Sequence, residues 1–470
     1  MVALQGESYV KRYLAYAGAV GALAGIMNVA YAADSTDDSL TWFGVTLYGT
    51  VDVGYTYQNR GTPLSDYFPV GLETMVQKNA TKKISSLSEN GMSQSKVGLR
   101  GTYEFYPGWS GVFRLESAFD PLSGNLSDGV KSVVQNNGVA AVNQGSNGDS
   151  SRAGQAFSGA AYAGVSSPKY GTLTIGRQNS LLMDNVGKYD PLGGSYAFSF
   201  VGYSGASGGT GDTQDGRFDS SAKYLVQVGP ARAGFLYKSP DSGQPGHAIQ
   251  ADLGADPLPG WSIDAAYSNV KDEILATPAS AAQITPCVPP ATTGCLLPNI
   301  DVSNAANVTV SDNFAWEIAS SYVWHQFKVS GAYENIHWRN PQVPLHAGLP
   351  DIGGYTLGWV NNTAYPHARM WQYFWLGVKY AYSPKLDLTA AWYYILQNNY
   401  NPANHCPGGV ADAATCSGRE AGYSLVADYK FNRHFDVYAG AMYSHLADGL
   451  AAGGPNIMSI DPTIGGRFNF

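Results

Sequence analysis

The chain has 470 residues and a formal net charge of −8, and its composition is unusual for a helical protein. It contains 56 glycines, 32 tyrosines and 10 tryptophans, whereas charged residues make up only 14%. Aromatic residues favour strands, and a mean hydropathy of −0.17 excludes a bundle of transmembrane helices. The acidic balance argues against nucleic-acid binding.

Residues 1–32 are predicted to be a cleaved signal peptide. Lys11 and Arg12 precede an apolar segment that ends in Ala30-Tyr31-Ala32. A basic region, an apolar region and a small-x-small site are typical of a secretory signal, with cleavage after Ala32. A membrane-anchor helix is the alternative, but the segment is short and polar, acidic residues follow it at once.

Export permits disulfide bonds between the four cysteines, Cys287, Cys295, Cys406 and Cys416. Each close pair lies within one polar connection. Of the three possible pairings we therefore favour Cys287–Cys295 with Cys406–Cys416. A metal site built from all four thiolates is the alternative, although the spacing is not typical of structural zinc sites.

After residue 42 the sequence follows the two-residue period of strands. Apolar and mostly polar residues alternate over residues 45–57, a run long enough to cross a bilayer as a tilted strand. In residues 109–120, Arg114 and Glu116 occupy one face only, which suits a barrel with a wet interior. No convincing amphipathic helix is predicted in this part of the chain.

Tight turns and long polar connections alternate between the predicted strands. Tight turns are predicted near residues 107–108, 167–170, 229–230, 256–260, 325, 383–384 and 432–433. Long connections are predicted near residues 59–92, 121–154, 179–216, 273–311, 339–368, 398–418 and 447–457, with a short one near 240–245. Counting the runs between them gives sixteen strands with both termini on the short-turn side.

This alternation is typical of outer-membrane barrels, which leave no unpaired strand edge in lipid. We therefore predict an all-β fold, in which residues 33–470 form one 16-stranded antiparallel transmembrane β-barrel. Aromatic clusters such as 371–375 and 392–394 are expected to form girdles at the two membrane interfaces.

One long connection, residues 178–217, has the composition of a functional loop. It is rich in glycine and also carries aromatic residues and carboxylates. A structureless loop of this length inside a compact domain indicates either a wrong strand assignment or a function. We interpret it as an inward-folded third outer loop that narrows a pore.

Several short motifs occur in order along the predicted barrel: VTLYG at 45–49, SKVGLRG at 95–101, YGTLTIGRQ at 170–178 and the terminal Phe470. With the leader and the sixteen runs, they make residues 33–470 resemble the general bacterial porins, which are trimeric outer-membrane channels. The resemblance implies a homotrimer in outer-membrane lipid. It also implies passive diffusion of small hydrophilic solutes and ions, without catalysis or a cofactor.

In such porins the third outer loop places acids opposite basic residues on the wall. The resemblance assigns the basic wall to Lys96, Arg100, Arg177 and Arg217. It assigns the loop acids to Asp184 and Asp190, and the loop turn to Pro191, Gly193 and Gly194. Phe470 is the expected barrel-assembly residue at the C-terminus.

Two departures from the family pattern leave the sign of ion preference open. Relatives often carry Pro-Glu-Phe-Gly-Gly in the loop, whereas here Asp190 precedes the proline. Relatives also often place an arginine on the fourth strand, where this chain has Ser158-Gly159-Ala160-Ala161. The acidic net charge leans weakly towards cations.

Three other functions are weighed against a general pore. A substrate-selective channel could use the loop aromatics, which are Tyr189, Tyr196, Phe198, Phe200 and Tyr203, although packing of the loop on the wall is the simpler explanation. A barrel enzyme could use the Gly-x-Ser-x-Gly match at 205–209, but the strand and helix that should flank it are missing. The charged inner faces count against a closed adhesin or structural barrel.

Overall fold

The structure is a computed structural model that describes residues 40–59, 83–126, 155–201, 216–240, 246–271, 275–276, 308–309, 312–339, 351–352, 355–356, 368–400, 406, 416–449 and 457–470. The predicted signal peptide, the Cys287–Cys295 pair, Tyr203 and the 205–209 motif lie outside these residues. Within them, no helix has the length and apolar character needed to cross a bilayer.

The strands of the first half of the chain are β1 (Leu40–Trp42), β2 (Val45–Gln58), β3 (Ile84–Glu89), β4 (Lys96–Tyr106), β5 (Trp109–Ala118), β6 (Ala160–Ser167), β7 (Gly171–Asn179), β8 (Arg217–Val228), β9 (Ala231–Lys238), β10 (His247–Leu258) and β11 (Trp261–Lys271). Those of the second half are β12 (Leu275–Ala276), β13 (Val308–Thr309), β14 (Asp312–Trp324), β15 (Phe327–Arg339), β16 (Asp351–Ile352), β17 (Tyr355–Thr356), β18 (Arg369–Ser383), β19 (Leu386–Gln397), β20 (Gly418–Lys430), β21 (Phe435–Asp448) and β22 (Ile457–Asn469).

The long strands form one closed antiparallel sheet. Each pairs with its neighbours along the chain, and β22 pairs with β2 to close the ring, with Val53 opposite Gly466. Strands β3 and β4 both pair with β2, at its two ends, so they form one barrel position interrupted at residues 90–95. Counted this way, the barrel has sixteen positions, as predicted. The second position begins at Ile84, earlier than the predicted connection 59–92 allowed.

Side chains alternate between the two faces of each strand, and their distribution is the one expected for a barrel with lipid outside and water inside. Large apolar side chains such as Leu99, Tyr103 and Ile175 are exposed, whereas polar side chains such as Glu116 and Thr174 on the opposite rows are buried. A soluble protein shows the reverse. The exposed row is therefore the outer face of the barrel, and the row containing Glu116 faces its interior.

Aromatic rings cluster at the short turns. Trp109 stacks on Tyr170 at 5.6 Å between ring centres, and Phe327 stacks on Tyr380 at 4.7 Å. The expected interfacial role of 371–375 was wrong for Trp371 and Trp375, which are buried within the main hydrophobic cluster. They lie on the inward row of β18, where apolar packing replaces the usual polar lining.

The prediction that no helix follows residue 42 was wrong at one place, the helix α1 (Leu181–Tyr189). Ser180 caps its N-terminus by accepting a hydrogen bond from the Met183 amide. Asp184 in the first turn and Lys188 in the last turn complement the helix dipole. Nine residues give too short a periodic pattern to stand out in a sequence dominated by strands.

The predicted disulfide between Cys406 and Cys416 is present, with 5.8 Å between the two Cα atoms. It joins Cys406, within the connection after β19, to Cys416, just before β20. Gln397 donates a hydrogen bond to the Cys416 carbonyl at 2.8 Å, so the bridge is tied to the rim of the barrel wall.

The C-terminal residue takes part in barrel closure. Phe470 exchanges two backbone hydrogen bonds with Gly49 of β2, at 2.9 and 3.1 Å. A Cβ at Gly49 would meet the Phe470 ring and would lie 2.8 Å from the Lys96 carbonyl oxygen. Glycine is required here because the terminal ring and the next strand leave no space for a side chain.

We therefore expect Gly49→Val to weaken closure by about 1–3 kcal/mol, the usual cost of overpacking. The measurement is the fraction of heat-modifiable, folded barrel on a semi-native gel after refolding. Gly111→Val is the matched control, because a Cβ there meets only the Tyr103 carbonyl oxygen, at 3.9 Å. Equal folded fractions for the two variants would contradict this role of Gly49.

Candidate functional site

The segment 179–201, called here the inner segment, lies against the inward rows of the barrel. Leu181 of α1 packs with Phe218, Leu236 and Ala248 on β8, β9 and β10. Leu182 and Val186 belong to the larger buried cluster that includes inward-row side chains of later strands. Each fully buried apolar side chain contributes about 1.5–3 kcal/mol, so this packing holds the segment firmly.

Three polar side chains of α1 bind the wall. The Asp184 carboxylate pairs with Lys223 of β8 at 2.8 Å. Asn185 donates a hydrogen bond to Asp252 at 2.9 Å, and Lys188 pairs with Asp264 at 2.8 Å. The helix is therefore fixed at both ends and in the middle.

Asp264 is the centre of a second set of contacts at the C-terminal end of α1. Arg232 of β9 pairs with the Asp264 carboxylate at 2.7 Å and donates a hydrogen bond to the Tyr189 hydroxyl at 3.2 Å. Burial lowers the pKa of Lys188, and the Asp264 charge opposes that change. Two cations thus share one buried carboxylate.

The DPLGG turn joins the helix to the opposite part of the wall. The Gly193 amide donates to the Asp190 carbonyl at 3.1 Å, and Gly193 and Gly194 have φ values of +64° and +76°. Glycine suits these positive φ values because it has no Cβ. Pro191 lies against Gly377 of β18, where a Cβ would collide with the proline ring.

Asp190 itself is only 4% exposed and is held by hydrogen bonds. Its carboxylate accepts from the Tyr393 hydroxyl on β19 and from the Gly194 amide, both at 2.7 Å. Burial raises the pKa of Asp190, while these donors favour its ionised form. This carboxylate anchors the turn to the wall and has little contact with water.

The rest of the inner segment reaches strands on the far side of the ring. The Ser424 hydroxyl of β20 donates to the Phe198 carbonyl at 2.7 Å. Phe198 packs edge-on against Tyr438 of β21, with 6.2 Å between ring centres. The Ala197 amide donates to the Gly91 carbonyl at 2.9 Å, so the inner segment binds the wall where the second barrel position is interrupted.

A basic cluster lies on the inward rows of β4 and β5. Lys96 lies 3.6 Å from Glu116, and Arg114 pairs with the same carboxylate at 2.5 Å. Arg114 also donates to the Tyr48 hydroxyl at 2.7 Å. Arg100 is exposed and lies over the Tyr48 ring at 5.3 Å. Lys96 and Arg114 therefore share one carboxylate, and the Tyr48 ring lies between Arg114 and Arg100 as a common contact.

The other two residues assigned to the basic wall have different surroundings. Arg177 pairs with Asp219 at 2.8 Å and donates to the Ser158 carbonyl at 2.8 Å. It is therefore paired on the wall and not with an acid of the inner segment. Arg217 is half-buried, and its guanidinium acts electrostatically on Lys96 and Glu116.

Four acids lie on the wall beneath α1, on consecutive barrel positions: Asp252, Asp264, Glu317 and Glu334. Glu317 and Glu334 face each other across β14 and β15 and are 1% and 0% exposed. The helix packs over these strands. These charges are therefore separated from the open part of the bore.

The structure thus places Lys96 and Arg100 in the same basic cluster, and it places Arg217 within electrostatic range of Lys96. Asp184 binds Lys223, a residue that was not predicted, and Asp190 lies apart from the basic cluster. Arg114 was also missed, although its position on the charged face of residues 109–120 was a usable signal.

We expect Tyr393→Phe to loosen the inner segment, because a buried carboxylate that loses a hydrogen-bond donor costs about 1–3 kcal/mol. Hydrogen exchange of the amides of residues 181–201 should then become faster. Tyr394→Phe is the control, since Tyr394 lies on the outward row of the same strand, stacked on Trp392. Unchanged exchange in Tyr393→Phe would show that the Asp190 contact does not hold the segment.

Comparison with known proteins gives the family. The model of the Gram-negative porin family matches residues 17–449, which is most of the chain. An outer-membrane porin protein of Bordetella pertussis is 26% identical over 193 residues. That match spans 41% of this chain and 41% of the relative's own length.

Solved structures with the same fold include three with a TM-score above 0.5. OmpT, an outer membrane protein of Vibrio cholerae, gives a TM-score of 0.53 at 13% identity, covering 92% of this chain and all of that one. A trimer form of OmpT gives 0.52 at 14% identity, covering 91% and 99%. The outer membrane channel DcaP of Acinetobacter baumannii gives 0.52 at 12% identity, covering 91% and 97%.

These structures share the barrel fold, and the family match covers nearly the whole of the described barrel. Three features of the structure agree with the family match and with the solved structures. They are the closed sheet of sixteen positions, its apolar outer face and its polar inner rows. The chain belongs to the Gram-negative porin family and is a β-barrel of the bacterial outer membrane.

Proposed function

We propose that this protein is a porin that forms a water-filled channel for passive diffusion of small hydrophilic solutes and ions. The observation that carries the proposal is the inner segment, which is fixed along part of the bore while the basic cluster on β4 and β5 keeps an exposed cation, Arg100. Diffusion down a gradient needs no catalytic group, so the channel is proposed to act without chemistry.

The narrow region is proposed to lie between α1 and the basic cluster. Tyr162 of β6 is within electrostatic range of both Arg114 and Asp184, so the two charged sides meet near that ring. Asp184 is neutralised by Lys223, and Glu116 by Arg114 and Lys96. The uncompensated charge on this side is positive.

We therefore propose a preference for anions, the reverse of the weak lean suggested by net charge. Rings of charge at the narrowest point set ion preference, whereas distant charges are screened. The acids beneath α1 are buried behind the helix and paired in part with Lys188 and Arg232. They contribute less to the potential in the open bore than Arg100 does.

General diffusion is favoured over a solute-specific channel. The described loop aromatics that could have bound a solute are Tyr189, Tyr196, Phe198 and Phe200, and all are buried. They pack against the wall, so their faces are not presented to the bore. Selectivity in this proposal comes from charge and size.

A homotrimer is proposed as the assembly. OmpT has been solved in a trimer form, and the outward rows of β6 and β7 carry small and apolar side chains such as Ala163, Val165 and Ile175 that would allow close contact. Analytical ultracentrifugation in detergent with matched density should give the mass of three chains. A single-chain mass over the whole concentration range would contradict the trimer.

We expect Arg100→Gln to lower the chloride-to-potassium permeability ratio. A unit charge about 8 Å from an ion in water contributes about 0.5 kcal/mol, which corresponds to about a two-fold change in that ion's permeability. Loss of the charge lowers the permeability to chloride and raises that to potassium, so both changes lower the ratio. The measurement is the reversal potential in a potassium chloride gradient across a planar bilayer.

Lys169→Gln is the matched control for this experiment. Lys169 lies in the short turn between β6 and β7 and contacts the Tyr170 ring, so its loss removes the same charge outside the bore. An unchanged ratio in Arg100→Gln, or an equal fall in Lys169→Gln, would contradict the proposed location of the narrow region.

A further inference from the structure

A second group of cations lies on the inward rows near the short-turn end of the barrel. It consists of Lys328 on β15, Lys379 on β18 and Lys430 on β20, and is called here the lysine triad. Lys328 and Lys379 are direct partners in the register of the two strands. Like charges placed directly opposite each other in a sheet are destabilising, so this arrangement needs a reason.

The triad has fewer carboxylates than cations. Lys430 and Lys379 share one carboxylate, Asp387, at 2.7 and 3.9 Å. The Lys328 ammonium donates a hydrogen bond to the Lys188 carbonyl at 3.3 Å, at the C-terminal end of α1. In the described part of the chain no carboxylate lies within 4.0 Å of Lys328, although Asp190 acts on it electrostatically from farther away.

A neighbouring cation is paired with carboxylates more closely than the triad is. Arg467 on β22 is paired with Asp436 at 2.8 Å and with Asp428 at 3.0 Å. Arg467 therefore contacts two carboxylates, whereas Lys379 and Lys430 share one and Lys328 contacts none among the described residues. Asp428 also acts electrostatically on Lys379 and Lys430, so Lys328 is the lysine of the triad that the carboxylates compensate least.

The triad is also accessible. The side chains of Lys379 and Lys430 are 31% and 37% exposed, against 14% for Lys96 in the basic cluster. All three lysines lie close to the short turns that follow or precede their strands. They form a positive surface between α1 and the short-turn mouth of the bore, separate from the basic cluster on β4 and β5.

We propose that the lysine triad binds small oxyanions, carboxylates or phosphates, as they pass the short-turn mouth. Lysine ammonium groups bind phosphate as point charges and can reorient to donate to several oxygens. An anion between Lys328 and Lys379 would screen the repulsion between their ammonium groups, and this relief would favour binding of the anion. The inference rests on the proposed channel, because an anion at the triad matters to passing solutes, and can block current, only if the bore is open.

Inorganic phosphate is the probe. Single channels are recorded in planar bilayers in potassium chloride while phosphate is added to the short-turn side. The wild-type current should fall saturably with phosphate. In Lys328→Gln/Lys379→Gln the half-blocking concentration should rise at least about ten-fold, since the loss of two cations removes charge-assisted hydrogen bonds.

Two further variants separate charge at the triad from other effects. Asp387→Asn removes the carboxylate that pairs with Lys379 and Lys430 and should lower the half-blocking concentration, which tests the site even where the double lysine variant does not fold. Lys385→Gln removes an exposed cation in the turn between β18 and β19 and should leave the block unchanged.

Open wild-type channels without phosphate block, or a block that is unchanged in Asp387→Asn, would overturn the triad site and leave the channel intact. A wild-type protein that opens no conductance steps would overturn the proposed function itself. Block by phosphate but not by acetate would restrict the site to phosphates within the proposed class.

Discussion

The structure depends first on the requirement that every backbone hydrogen-bonding group within lipid has a partner in the protein. An open sheet of this size would leave two long unpaired edges. The pairing of β22 with β2 removes them, and the contact of Phe470 with Gly49 completes the pairing at the last residue. Closure also fixes which row of each strand faces inward, so the charge pattern of the bore follows from the register.

Within the closed ring, the inner segment divides the wall into two chemically different parts. The helix α1 covers the four wall acids described above. Asp264 is paired with Lys188 and Arg232, and Asp252 accepts a hydrogen bond from Asn185. Over β4 and β5 the basic cluster is not covered by the helix. The acids beneath α1 are therefore buried, whereas Arg100 of the basic cluster is exposed, and this difference is the basis for proposing a positive narrow region in an acidic chain.

Much of the fold could be predicted from the sequence because period two, tight turns and the terminal strand are local signals. The helix α1 was missed because one short helix leaves a weak pattern. Asp190 was expected among the pore acids, but its burial against Tyr393 depends on a strand some two hundred positions away in the chain. Lys223 and Arg114 act through partners on other strands, and no local pattern specifies such pairs.

We propose an open, water-filled bore with a positively charged narrow region. The most direct measurement is the reversal potential of wild-type single channels in a potassium chloride gradient. A concentration ratio of about ten makes the sign of that potential easy to read, and the sign reports the ion preference. The account predicts stepwise conductance with the dilute side negative at zero current, because chloride crosses more readily than potassium. A dilute side that becomes positive would contradict the proposed charge at the narrow region, and a bilayer without conductance steps would contradict the channel.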